Sequence, residues 1–206
     1  MISWLFVLVA CHGSEIKHEA IPLSLSVSPP ADLTRTRQHA REALVYCRAN
    51  RLDTTRCILI DMGLHAGVKR LLVWEFAGDS IGYRALVSHG SGDNPWSQDV
   101  SRENPTFSNV PGSYCSSLGR YRIGARGYSN WGIHVKYLLH GLDSTNTEAL
   151  ARDIVFHGWD MIPDEEVWPR GAPEGHGCPA VSNRTMTYMD SLLQTHTQPV
   201  LMWVYR

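Results

Sequence analysis

The chain has 206 residues, a formal net charge of −1 and 43% hydrophobic residues. This length suits one folded domain with a substantial core. Because no basic run or stripe is present, nucleic-acid binding has no electrostatic support. Beyond the N-terminal segment, no stretch is apolar for long enough to span a bilayer.

The first residues have the character of an export signal. An apolar run from Ile2 to Ala10 ends at Cys11 and turns polar at once. The run predicts a signal peptide over residues 1–11, and Leu8 to Cys11 resembles a bacterial lipobox, in which the cysteine becomes lipidated. No Lys or Arg precedes the run, so a plain cleaved signal or a misassigned start remains an alternative. We expect export, with membrane attachment through a lipidated Cys11.

A tether and a helix come next. Residues 12–31 contain the Pro- and Ser-rich stretch 21–30, which is typical of a linker. Asp32 can cap a helix over 32–50, because Ala40, Ala43 and Cys47 follow three-to-four spacing. The remaining chain, 32–206, is predicted to be one domain that includes this helix.

Short strands dominate the rest of the sequence. Alternating or continuous apolar runs predict strands, and two helices are expected between them. The predicted strands are 57–60, 70–76, 83–88, 121–124, 133–139, 154–156 and 200–205; the predicted helices are a short one over 147–151 and one that begins at Ser182 or Asn183. Without a βαβ rhythm, this pattern favours a mainly β sandwich with peripheral helices.

One cysteine combines a tight glycine turn with a nearby histidine. Cys178 lies in His-Gly-Cys-Pro-Ala, and residues 158–177 separate it from His157, which is enough for a loop that brings the two side chains together. A Cys–His pair is the minimum unit for thiolate attack on a carbonyl. From these residues alone, a buried inert thiol and a structural histidine remain the commoner interpretation.

The other cysteines leave two alternatives. With Cys11 lipidated and Cys178 catalytic, at most one disulfide can form among Cys47, Cys57 and Cys115. A Cys47–Cys57 bond suits an oxidising compartment, and three reduced, packed thiols are equally consistent with the sequence.

Four stretches in order carry a family resemblance. They are 58–61 with 70–74, then 88–92, then 107–113 with 116–121, and finally 154–158 with 177–180. From Cys57 to the C-terminus the chain resembles the cysteine-dependent murein L,D-transpeptidases, in particular the murein L,D-transpeptidase catalytic domain-like family. The resemblance implies the L,D-transpeptidase-type β-sandwich, action on peptidoglycan stem peptides in the bacterial cell envelope or periplasm, and no metal or organic cofactor. We expect a monomer without a nucleic-acid partner.

The resemblance also assigns roles residue by residue. Cys178 aligns with the nucleophile and His157 with the general base. The carbonyl of Gly158 aligns with the group that holds the imidazole tautomer. The N–H groups of Gly177 and Cys178 align with the oxyanion hole, and His176 aligns with a supporting groove residue.

Two positions in this segment depart from the wider family. Gly175 stands where Ser or Thr is usual, so a hydroxyl that could orient the site or touch substrate is missing. Pro179-Ala180 also differs from the wider family but matches the closer branch. We therefore expect Gly175 to affect rate or substrate choice and to leave the core chemistry intact.

The implied activity is peptidoglycan L,D-transpeptidation. Cys178 forms a thioester with a stem tetrapeptide and passes it to an amine acceptor, and carbapenems trap the same thiolate in the family. Water as acceptor would give an L,D-carboxypeptidase, and an idle thiol would leave a non-catalytic peptidoglycan-binding module. A metal hydrolase using His157, His176 and Cys178 has suitable ligand types, but the spacing matches no short zinc motif.

A few other side chains suit the substrate. Guanidinium groups bind carboxylates, so Arg120, Arg122 and Arg126 fit a stem carboxylate, but their pattern favours solvated arginines on strand faces. His89 is expected to line the groove or to cap a strand. Trp131 is expected to pack on substrate or on the sheet.

Overall fold

The computed structural model describes residues 33–206, so the predicted signal over 1–11, Cys11 and the tether over 12–31 lie outside the described residues. Two helices and eight strands make up the fold. Their bounds in chain order are α1 Leu33–Asn50, β1 Arg56–Asp61, β2 Leu71–Glu75, β3 Ser80–Ala85, β4 Gly119–Tyr128, β5 Val135–Gly141, β6 Val155–Gly158, β7 Ala180–Val181, α2 Asn183–Gln194 and β8 Leu201–Tyr205.

All eight strands belong to one sheet, in the order β3-β2-β1-β8-β4-β5-β6-β7. Neighbouring strands are antiparallel except for the parallel pairs β1–β8 and β6–β7. The two edges of this sheet approach each other, because the N–H of Ser88, just beyond β3, donates to the carbonyl of Ala180 in β7 at 2.9 Å. The predicted mainly β fold is therefore confirmed as a sheet that curls around its own core.

Side-chain alternation along β1 divides the interior in two. Ile58 and Ile60 face the main core inside the curl, whereas Cys57 and Leu59 face α1. The helix meets the sheet through small buried residues such as Ala40 and Ala43, which allow close approach. α1 therefore covers the outer face of β1 and β8, the first and last strands.

The second helix closes the main core next to the site. The side chain of Ser182 caps α2 by accepting the N–H of Thr185 at 3.1 Å, a contact that satisfies one of the free donors of the first turn. Met186, Met189 and Leu192 then reach the main core. Within residues 33–206, neither helix is long and apolar enough to cross a membrane.

Two local predictions were wrong. Residues 147–151 form successive turns instead of a helix, because the buried Asn146 accepts the N–H of Asp143 at 3.0 Å and donates to the carbonyl of Arg120 at 2.9 Å. β3 spans Ser80–Ala85 rather than 83–88. Of the two alternatives for Cys47, Cys57 and Cys115, the structure has the three buried free thiols.

Candidate active site

The imidazole of His157 is held by the residue that follows it. His157 lies on the fully buried strand β6, and its Nδ1 is 2.8 Å from the carbonyl oxygen of Gly158. A carbonyl only accepts, so Nδ1 carries the proton and the lone pair of Nε2 remains available. Burial lowers the pKa of His157 below its ordinary 6.5, although the Gly158 carbonyl opposes that shift. The ring is therefore a neutral base at physiological pH.

The thiol of Cys178 lies in the same cleft as the His157 ring. The N–H of Val155 donates to its sulfur at 3.4 Å, and the thiol donates to the carbonyl of Asp153 at 3.6 Å. Among residues 33–206, the hydrogen bonds of this sulfur go to these main-chain groups and not to the imidazole. Burial raises the pKa of the Cys178 thiol to about 11. The thiol is therefore protonated and hydrogen bonded to the main chain.

A glycine shapes the turn that presents Cys178. Gly177 has φ +105°, and a Cβ at this position would lie 2.6 Å from the carbonyl oxygen of Cys115. No other residue fits without moving that main chain. Within the described part of the chain, the N–H groups of Gly177 and Cys178 donate no main-chain hydrogen bond.

Two serines fix the peptide planes of this turn. The hydroxyl of Ser116 donates to the carbonyl of Gly177 at 3.1 Å, and that of Ser88 donates to the carbonyl of Cys178 at 3.1 Å. Each hydroxyl also accepts a main-chain N–H, from Gly90 at 3.0 Å and Ala180 at 2.9 Å respectively. In the sequence analysis, Ser88 and Ser116 were noted only as members of the stretches 88–92 and 116–121, without a role. Their roles depend on contacts that link distant segments, which no local pattern reports.

A buried chain of charged and polar groups lies behind the turn. Arg70 donates to Nδ1 of His89 at 2.7 Å, so neutral His89 carries its proton on Nε2, 2.9 Å from Oγ of Ser101. That hydroxyl donates to Glu174 at 3.0 Å. Burial would raise the pKa of Glu174, but contacts with His89 and Ser101 bring it below its ordinary 4.5. His89 is thus fully buried in this chain of groups and lines neither cleft, so the prediction that it lines the groove was wrong.

The surfaces on either side of Cys178 differ. One side, named here the aromatic flank, consists of Trp96, Trp131, Trp159 and His176. Ring centroids are 5.3 Å apart for Trp96 and Trp159 and 6.1 Å apart for Trp96 and Trp131. The other side, named here the ionic flank, consists of Ser129, Lys136, Asp153 and Val155. Trp131 stands at the border and lines both clefts.

Gly175 and His176 open the aromatic flank. A Cβ on Gly175 would meet its nearest neighbours, in Ser88 and Trp159, only at 4.0 Å, so the missing side chain leaves free space beside the cleft. His176 is exposed, and its ring lies 4.6 Å from that of Tyr114. In residues 33–206 no group of three or more His, Cys, Asp or Glu side chains is arranged to hold a metal ion.

Two of the predicted carboxylate-binding arginines already have partners in the protein. Arg120 forms an ion pair with Asp143 and stacks on Tyr46, and Arg126 pairs with Asp190 at 2.7 Å. Both contacts lie outside the two clefts. Trp131, by contrast, does line the site, and nearly half of its surface is exposed.

Comparison with known proteins places this chain in a family. The L,D-transpeptidase catalytic domain profile matches residues 33–205, whereas no curated protein sequence matches significantly. Similar solved structures include the helical cell shape determining protein Pgp2 from Campylobacter jejuni, with a TM-score of 0.45 and 13% identity over 74% of this chain and 48% of that one. An L,D-transpeptidase from Xylanimonas cellulosilytica has a TM-score of 0.40 and 15% identity over 73% and 60%.

This chain thus spans about half to three fifths of the length of those two proteins. The match over residues 33–205 covers both strands and loops of the site, from α1 through His157 and Cys178 to β8. The chain belongs to the L,D-transpeptidase catalytic domain family.

Proposed function

We propose that this chain is an exported peptidoglycan L,D-transpeptidase with Cys178 as its nucleophile. The observation that carries the proposal is the His157 ring, whose Nδ1–H is fixed on the Gly158 carbonyl at 2.8 Å. Among residues 33–206, its Nε2 has no hydrogen-bond partner, and His157 and Cys178 line the same cleft. A base with a fixed tautomer beside a thiol is the arrangement that thiolate attack requires. Family membership supplies the substrate class, peptidoglycan stem peptides.

In the first half-reaction, Nε2 of His157 accepts the proton of Cys178. The sulfur attacks the carbonyl of the third residue of a stem tetrapeptide, and the C–S bond forms as the carbonyl becomes an oxyanion. The free N–H groups of Gly177 and Cys178 stabilise this charge, and each such donor contributes about a hundred- to thousandfold in rate. The C–N bond then breaks, and His157 returns the proton to the departing D-alanine.

In the second half-reaction, an amine of a neighbouring stem attacks the thioester. His157 accepts a proton from the amine, the C–S bond breaks and the thiolate of Cys178 is regenerated. The product is an L,D cross-link, and the thiol regains its proton from the imidazolium. Atoms and charges balance without a cofactor.

Purified chain incubated with tetrapeptide muropeptides tests this reaction. Cross-linked dimers that require Cys178 support the transpeptidase. Tripeptides alone would assign water as the acceptor and make the enzyme an L,D-carboxypeptidase.

A non-catalytic peptidoglycan-binding module is favoured by one observation. In its resting position the sulfur of Cys178 is hydrogen bonded to Val155 and Asp153, an arrangement that an idle thiol would also adopt. Sacculus binding that equals that of Cys178→Ala, with no turnover, would establish this module and exclude the enzyme.

Location in the bacterial envelope, with attachment through Cys11, forms part of the proposal. It is supported by the apolar run over 1–11 and by the substrate class. Metabolic labelling with a radioactive fatty acid tests it. Label that is lost in Cys11→Ala supports lipidation, whereas unlabelled periplasmic protein points to a cleaved signal. Sedimentation of the exported chain tests the expected monomer.

A further inference from the structure

An ion pair lies beside the candidate nucleophile. Nζ of Lys136 is 3.4 Å from Oδ1 of Asp153, and both side chains line the cleft that holds Cys178 and His157. Among the described residues that line this cleft, these two are the only Lys, Arg, Asp or Glu. Their charges therefore act on the thiol and the imidazole from close range.

Sheet register places Lys136 next to His157. Lys136 on β5 is the direct cross-strand partner of His157 on β6. Direct partners in an antiparallel pair point to the same face, with Cβ atoms about 5 Å apart. The ammonium of Lys136 is therefore held on the imidazole side of the cleft by the sheet itself.

Asp153 is held next to the sulfur by its main chain. Its carbonyl accepts the Cys178 thiol at 3.6 Å, and Val155, two residues later, donates its N–H to the same sulfur at 3.4 Å. Asp153 has φ +51°, a left-handed conformation that Asp and Asn tolerate better than most residues. The Asp153 carboxylate therefore belongs to the same short segment whose main chain contacts the Cys178 sulfur.

The two charges act in opposite directions on the same proton. An ammonium favours a neighbouring thiolate, whereas a carboxylate disfavours it. Burial raises the pKa of the Cys178 thiol most; Asp153 raises it further and Lys136 lowers it. For His157, burial lowers the pKa most, Lys136 lowers it further and Asp153 raises it.

Four other titratable groups face this site. Tyr128 lines the same cleft, and its ring stacks on that of His134 at 5.5 Å. Arg152 also favours the thiolate, but its guanidinium is committed to the carbonyls of Ser108 and Cys115 and to neighbouring hydroxyls. The phenol of Tyr121 is buried and donates to the carbonyl of Ser117. His176 is exposed on the aromatic flank. Lys136, which is partly buried, and Asp153, which is exposed, are thus the charges of this cleft that substitution can remove cleanly.

We propose that Lys136 and Asp153 are opposed positioning residues, and that their balance sets the pH range in which Cys178 becomes nucleophilic. The proposal rests on the proposed function only in taking Cys178 as the nucleophile. Neither side chain needs to touch the reacting carbonyl. Each acts through the proton that moves from the thiol to Nε2 of His157.

Alkylation by iodoacetamide tests the pair without any peptidoglycan substrate. The thiolate displaces iodide and forms a stable thioether, so the rate reports the thiolate fraction. The rate at Cys178 is measured by peptide mass spectrometry from about pH 6 to about pH 11 for wild type, Lys136→Met and Asp153→Asn. The Asn variant keeps the volume and the tolerated backbone conformation at position 153.

The expected shifts have opposite signs. Lys136→Met moves the alkylation profile to higher pH and Asp153→Asn moves it to lower pH, each by about half to one unit for partly exposed charges. At a fixed pH below the midpoint, this corresponds to an about three- to tenfold slower or faster reaction. Profiles that coincide with wild type, or that shift in the same direction, overturn the proposal.

A matched control removes a similar charge elsewhere. Lys69 pairs with Glu165 at 2.7 Å and does not line the cleft, so Lys69→Met keeps the wild-type profile. If Lys136→Met fails to fold, the Asp153→Asn profile alone tests the proposal: a shift to lower pH supports it, and any other result overturns it. If the alkylation profiles shift in opposite directions but muropeptides are not turned over, the charge-balance proposal holds and the transpeptidase function is rejected. If muropeptides are turned over but the alkylation profiles do not shift, the transpeptidase function holds and the charge-balance proposal is rejected.

Discussion

The two flanks of Cys178 are constructed differently. On the ionic flank, sheet register fixes Lys136 beside His157, and main-chain contacts fix Asp153 and Val155 beside the sulfur of Cys178. The aromatic flank consists of side chains from separate loops, among them Trp96 and Trp131, which are both well exposed. The strands and the residues next to them fix the Cys–His pair of the candidate site, and the loops provide a surface.

This difference leads to a division of labour. Changes on the strand side are expected to alter the chemical step, because they move or remove the groups that handle the proton. Changes on the loop side are expected to alter substrate binding or stability, according to how deeply each ring is buried. The four predictions below test that division from the largest expected effect to the smallest.

Loss of the base on β6 has the largest expected effect. His157→Gln removes Nε2 as proton acceptor, so we expect turnover to fall by about a hundred- to ten-thousandfold with little change in melting temperature. His134→Gln is the control, since His134 is an exposed ring stacked on Tyr128 at 5.5 Å. Turnover of His157→Gln within about tenfold of wild type would remove His157 from the mechanism.

Two tryptophans separate stability from binding on the aromatic flank. Trp159 is 4% exposed and Trp131 is 48% exposed. Trp159→Ala should lower the free energy of unfolding by about 3–5 kcal/mol, whereas Trp131→Ala should raise KM by about tenfold at constant kcat. Denaturant unfolding measures the stability of Trp159→Ala, and steady-state kinetics measures KM and kcat of Trp131→Ala. A fall in kcat alone for Trp131→Ala would contradict the division.

The buried charges of Arg70 and Glu174 should make the stability of the protein depend on pH. Because the folded-state pKa of Glu174 lies below 4.5, its contribution to stability is complete above the ordinary value and is lost as pH falls through the folded value. Glu174→Gln removes the buried carboxylate that Ser101 and His89 contact. The substitution leaves Asp61 as the acid near the buried Arg70, so it should cost about 3 kcal/mol at neutral pH. The variant should also lose less stability on acidification. Parallel acid-unfolding curves would show that Glu174 is not ionised in the folded protein.

The opening of the aromatic flank at Gly175 should tolerate a small side chain. A Cβ on Gly175 has 4.0 Å of clearance, so Gly175→Ser should change the free energy of unfolding by no more than about 0.5 kcal/mol. Turnover should change by less than about tenfold. Gly177→Ala is the contrast, because its Cβ would collide with Cys115. Severe destabilisation by Gly175→Ser would mean that the cleft is closed at this point.

The sequence predicted those parts of the molecule that depend on short-range patterns. Period-two alternation located β5, and an apolar run ahead of His157 located β6, whose residues are all buried. The glycine before Cys178 signalled a turn, and the positive φ of Gly177 explains why. Such features are visible because neighbouring residues determine them.

Long-range contacts were invisible to the same reasoning. Ser88 and Ser116 act on carbonyls about 60 to 90 residues away in the chain, and Arg70 reaches Glu174 only through His89 and Ser101. The turns at 147–151 replaced a predicted helix because a single buried side chain, Asn146, satisfies main-chain groups from two segments. Hydrogen bonds between distant segments leave no periodic signal in the sequence.

Acylation of Cys178 by a carbapenem is the most direct test of the central claim. The purified chain is incubated with the compound, digested and mapped by mass spectrometry, with Cys178→Ser and His157→Gln treated alongside. The account predicts one acyl adduct, on the peptide that contains Cys178, that is absent from Cys178→Ser and forms far more slowly in His157→Gln. Folded wild-type protein that stays unmodified at Cys178, or that carries its adduct on Cys115, would contradict it.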